Sequence, residues 1–92
     1  MTEPLETVRP GSPVTANVAW HGLIKCRLLW IRGDVATVEV TERRNPDFIR
    51  GATVNCPVWR LSSRKGWSKQ RGIDRLYYSG PRLEFADSCF VP

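Results

Sequence analysis

Residues 60 to 75 read RLSSRKGWSKQRGIDR, with six Lys or Arg surrounding one Trp. Cations at this density neutralise phosphates, and an aromatic ring among them offers a platform on which a base can stack. Arg60, Arg64, Lys65, Trp67, Lys69, Arg71 and Arg75 are therefore the leading candidates for nucleic-acid contact, and Gly66 and Gly72 would let the backbone approach closely. Lys25, Arg27, Arg43 and Arg44 supply further positive charge upstream. The competing reading is bland: residues 62–72 form a hydrophilic basic loop that keeps a small domain soluble, with Trp67 folded back on the body of the protein.

Other chemistry is poorly served. His21 and the three cysteines, Cys26, Cys56 and Cys89, offer four nominal zinc ligands, but no CxxC or HxxxH pair brings two together, so no metal is expected. Alternation instead puts Cys26 and Cys56 in the core as structural thiols. His21 lies in a turn without an identifiable nucleophile beside it, and Glu39, Glu42 and Asp47 are spaced as strand-exterior and loop residues rather than as an acid–base pair. GxGxxG and GxxxxGK phosphate loops do not occur. The expectation is a binding protein without enzymatic activity and without a cofactor.

Fourteen Lys and Arg against nine Asp and Glu give a net charge of +5, and eleven of the fourteen are Arg. This balance favours an anionic partner, and Arg in particular presents a planar fork suited to phosphate. MTEPLETVRPGSP has acids and prolines where a signal peptide would carry a basic start and an apolar run, and no apolar stretch is long enough to span a membrane. A cytoplasmic protein with reduced thiols and no membrane partner is expected.

The elements that must position these groups read as short strands. Residues 1–12, with Pro4, Pro10 and Gly11, suggest a flexible N-terminal arm, and residues 13–92 a single domain. Val14, Ala16 and Val18 alternate with Thr15 and Asn17; Trp20, His21 and Gly22 then form a tight turn in which Gly22 supplies a positive φ. In the next strand Ile24, Cys26, Leu28 and Trp30 fall on one face, and Leu29 and Ile31 make its end covered on both. Arg32, Gly33 and Asp34 spell an adhesion tripeptide, but between two strands they read as a hairpin turn into Val35–Thr41, where Ala36, Val38 and Val40 point inward. ERRNPDFIR is a polar loop. Gly51–Cys56 returns as a strand with Ala52, Val54 and Cys56 inward, and VWRL suggests one helical turn. Beyond the basic run, IDRLYYS and RLEFADSCFV read as two further strands, with a helical turn over Ile73–Tyr78 as the alternative. Whether the last thirty residues complete the fold or extend from it stays open.

VTANVAWHGLIKCRLLWIRGDVATVEV, a loop, and then GATVNCPVWRL resemble in layout the SH3-like barrels of the Tudor type, over residues 13–61. The resemblance implies an all-β small barrel of five or six antiparallel strands with a short helical turn. It also places Trp20 and Phe48, with Asp47 adjacent, where Tudor-like domains build an aromatic cage for a methylated cation. Only two rings match here, and Leu23 or Ile24 stands where another would be required, so both rings are expected to cover the ends of the core. The leading function is a small basic barrel that binds nucleic acid by phosphate neutralisation and stacking. The alternative, from another class, is a protein-interaction module or homodimer using the sheet edge and the anchors Tyr77, Tyr78 and Phe85.

Overall fold

The computed structural model describes residues 5–18, 21–63, 67–69, 76–78, 80 and 82–91. Through them run β1 (Leu5–Val8), β2 (Pro13–Val18), β3 (Gly22–Arg32), β4 (Val35–Val40), β5 (Thr53–Pro57), a 3₁₀ turn (Val58–Arg60), β6 (Leu61–Ser62), β7 (Trp67–Lys69), β8 (Leu76–Tyr78), β9 (Arg82–Phe85) and a second 3₁₀ turn (Asp87–Cys89). The fold is all-β. Its centre is a five-stranded antiparallel sheet in the order β5-β4-β3-β2-β6.

Period-two patterning explains the sheet. Val14 and Ala16 on β2, Ile24, Cys26 and Leu28 on β3, and Ala36, Val38 and Val40 on β4 are all buried on one face, while Lys25 and Arg27 face solvent on the other. Gly22 opens β3 at φ 80° and Gly33 turns the β3–β4 hairpin at φ 61°, the left-handed conformations that tight hairpin connections require. The adhesion-like tripeptide is thus a hairpin turn. Val58–Arg60 is the expected single helical turn, and Cys56 is buried beside Ala36.

The expected closed barrel is not what the ladder forms. Among the described strands β5 and β6 are the two ends of an open sheet, and β6, only two residues long, pairs through Ser62 and Leu61 with Thr15 and Ala16 of β2.

A second departure lies in β3. The register passes from Leu28 opposite Val38 to Trp30 opposite Thr37, so Leu29 is an extra residue without its own partner. A bulge of this kind reverses which side chains face the core from that point on. Ile31 is fully buried and Trp30 stands 44% exposed, the reverse of the expected inward Trp30.

Both ends of the chain pack onto the far end of β3. The stretch expected as a flexible arm contributes β1, which pairs in parallel with β9, Val8 opposite Phe85. Residues 11–12 then bind the bulge, Gly11 N–H donating to the Leu28 carbonyl at 2.6 Å and Leu28 N–H to that of Ser12 at 3.0 Å. Val91 N–H donates to the Ile31 carbonyl at 2.7 Å, and the buried Cys89 thiol donates to the Val8 carbonyl at 3.1 Å. The C-terminal segment 82–91 therefore completes the core through Cys89, Leu83, Phe85 and Ala86. The expected basic loop, 62–72, includes strand β7, with Trp67 opposite Tyr78 and Lys69 opposite Leu76, and Leu76–Tyr78 is a strand rather than a helical turn.

Candidate functional site

The loop between β4 and β5, residues 41–52, is built from its own polar groups. Asn45 Oδ1 accepts from the N–H groups of Asp47 at 2.9 Å and Phe48 at 3.0 Å, an Asx-type turn that leads into Pro46. At its base Val40 N–H donates to the Ala52 carbonyl and Gly51 N–H to that of Val40, both at 2.8 Å. Phe48 is half-buried against the core and meets the His21 ring edge-on at 5.0 Å.

Both carboxylates of this loop are engaged inward. Glu42 Oε1 accepts from the Lys25 N–H and Oε2 from Asn45 Nδ2, each at 2.9 Å. Asp47 Oδ2 lies 2.8 Å from His21 Nδ1, tying the loop to the β2–β3 turn. The three arginines of the loop, Arg43, Arg44 and Arg50, are exposed and meet no carboxylate among the described residues. They line a shallow groove with Pro46 and with Ile49, which is 81% exposed. The loop thus presents three guanidinium groups without a direct ion pair among the described residues, on a hydrogen-bonded frame, an arrangement suited to phosphate oxygens.

The other candidate residues divide. Lys25 is exposed on β3 at the foot of this loop. Arg27 is committed elsewhere: its Nε lies 2.6 Å from Glu39 Oε1, directly across the ladder, so a free cation at that position is not what the fold provides. Arg60 donates to the Asn17 carbonyl at 3.3 Å and lies over the Trp59 ring at 4.7 Å from its centroid. Trp67 and Lys69 belong to β7, and Tyr77 and Tyr78 to β8. Arg64, Lys65, Arg71 and Arg75 lie outside the described residues, as does Trp20 of the considered cage. Phe85 packs partly buried against the core rather than standing out as an anchor.

Residues that sequence reasoning passed over include Arg50, Arg32 and two exposed indoles. Trp59 is 74% exposed on the first 3₁₀ turn. Trp30 borders a groove on the outer face of β3, β4 and β5 with Arg32, Val35, Thr37, Asn55 and Val91. Arg50 was legible as one more cation in ERRNPDFIR; the indoles were not, because Trp in a small domain is ordinarily core material.

All three cysteines are buried, and none forms a disulfide. Burial pushes the Cys56 thiol up to about 11 against a smaller opposing pull from Arg60, and burial also raises Cys89, partly offset by a hydrogen bond from the backbone at Ala86. Cys56 and Cys89 are therefore held as protonated thiols, poor nucleophiles and poor metal ligands. Among the described residues no His, Cys, Asp and Glu gather as a metal-holding group, and no helix is long and apolar enough to cross a membrane. Comparison with protein-family models, curated proteins and solved structures finds no match.

Proposed function

We propose that this chain is a non-enzymatic nucleic-acid-binding module of SH3-like design, which holds phosphates with arginine and stacks bases on exposed tryptophan. The strand order β5-β4-β3-β2-β6, with a 3₁₀ turn leading into a short last strand, supports the SH3-like arrangement. The observation that carries the function is the loop at 41–52. Its carboxylates accept from the Lys25 backbone N–H and Asn45 Nδ2 and meet His21 Nδ1, while Arg43, Arg44 and Arg50 are exposed with no ion-pair partner among the described residues. In a chain of net charge +5 the three guanidinium groups stay available to an anionic partner. In this reading the basic run at 60–75 supplies further cations, and its Trp67 is a candidate stacking residue.

The test is a fluorescence-anisotropy titration of labelled single-stranded and duplex DNA and RNA at about 50 mM and about 200 mM salt. Binding that weakens steeply between the two supports the reading, and absence of binding at the lower salt refutes it. A second reading, a protein-interaction module or homodimer in the cytoplasm, is favoured by Trp59, which stands 74% exposed beside the edge strand β6. Under that reading affinity would respond little to salt and would fall when Trp59, Tyr77 or Tyr78 is truncated.

A further inference from the structure

The bulge at Leu29 has a consequence at the surface. Uninterrupted alternation would carry Trp30 to the core face with Leu28; the extra residue sends it outward instead, and Ile31 takes the buried place. Bulges re-aim side chains in this way, and they are enriched beside functional sites. The indole so exposed lies in a groove whose other walls are Arg32, Val35, Thr37, Asn55 and Val91. The polar groups there are arranged with a definite sense. Thr37 Oγ1 donates to Asn55 Oδ1 at 2.7 Å, which occupies the amide oxygen and leaves the Nδ2 donors available. Arg32 is exposed and has no ion-pair partner among the described residues. The groove therefore offers an aromatic face, an amide donor and a free guanidinium, with no carboxylate on its walls.

From this we infer that the groove is a single-nucleotide subsite for single-stranded nucleic acid. An unpaired base stacks on Trp30, a base carbonyl accepts from Asn55 Nδ2, and a flanking phosphate meets Arg32. A planar ring with exocyclic acceptors and an adjoining anion matches all three groups. A duplex, whose bases are already stacked on one another, presents no free ring face to the Trp30 indole. The inference rests on the nucleic-acid reading above and adds to it a strand preference and a residue for each contact.

The experiment compares full-length wild type, Trp30→Ala, Trp30→Phe and Asn55→Asp in titrations of a labelled mixed-sequence 20-mer, single-stranded and duplex, with thermal melts of each protein as a folding control. Trp30→Ala should weaken single-strand binding about fivefold or more, in line with the loss of one stacked base, and leave duplex binding within about twofold. Trp30→Phe should keep most of the affinity, and Asn55→Asp, which puts an anion in the groove, should lower it. If wild type binds single strands and Trp30→Ala binds them within twofold of wild type, the subsite is overturned while the wider reading stands. Equal loss on single strand and duplex also overturns it. If wild type binds no nucleic acid, both fall together.

Discussion

Truncating the three loop arginines, as Arg43→Ala with Arg44→Ala and Arg50→Ala, should flatten the salt dependence of binding. Each guanidinium is exposed and free of a carboxylate among the described residues, so each is available for one phosphate. Every phosphate contact to a single strand contributes about 0.7 to the slope of log affinity against log salt, so losing three should lower that slope by about 2. Over a fourfold rise in salt this corresponds to a loss of affinity about 20-fold smaller in the variant than in wild type. The assay is anisotropy of a labelled single-stranded oligonucleotide at four or more salt concentrations, read as a slope. A control, Arg9→Ala with Arg82→Ala, removes two exposed cations on and beside the separate two-stranded β1–β9 sheet and should leave the slope unchanged. Two results would refute the reasoning: a triple variant with the wild-type slope, or a control variant that lowers the slope as much per charge, which would make net charge rather than the loop responsible.

Three further outcomes follow from the fold. The Cys56 thiol is raised by burial from 9.0 to about 11, so it favours folding fully below pH 9 and ceases to do so as pH climbs through 11. Denaturation curves should show wild type losing about 2 to 3 kcal/mol more than Cys56→Ala across that window, and native protein at pH 8 should resist alkylation that unfolded protein accepts. Gly33→Ala meets no steric obstacle but must hold φ 61°, so it should cost about 1 to 2 kcal/mol in chemical denaturation. Leu28→Ala, at a fully buried position where the bulge begins, should cost about 3 to 5 kcal/mol by the same measurement.

The parts of this fold that could be read from sequence are those where a single physical pattern acts alone. β4 alternates because one face is buried, and Gly22 and Gly33 mark turns because other residues would be strained there, whereas in β2 Thr15, expected to face away from Val14 and Ala16, is buried with them where β6 pairs across it. β3 resisted reading past Leu28. A bulge inserts one residue without any mark in composition, and from that point every inward assignment is reversed, which is why Trp30 and Ile31 exchange places. The β1–β9 pairing was hidden for a different reason: it is parallel and joins opposite ends of the chain, so no local period or turn signals it. At the candidate site, Arg43 and Arg44 were visible as charge in a polar loop. The commitment of Arg27 to Glu39 depends on cross-strand register, and the exposure of Trp59 depends on a 3₁₀ turn that takes it off the sheet; neither is a property of nearby sequence.

The central claim, that nucleic acid is held at the loop of residues 41–52 and the Trp30 groove, is tested most directly by backbone amide and indole chemical shifts. Isotope-labelled protein would be titrated with an unlabelled single-stranded 20-mer at low salt. The account predicts shifts concentrated at Arg43–Gly51, at the Trp30 indole and around Arg32 and Asn55, with the β1–β9 end unmoved. Shifts confined to β1, β9 and the Asp87–Cys89 turn, or spectra unchanged by saturating oligonucleotide, would contradict it.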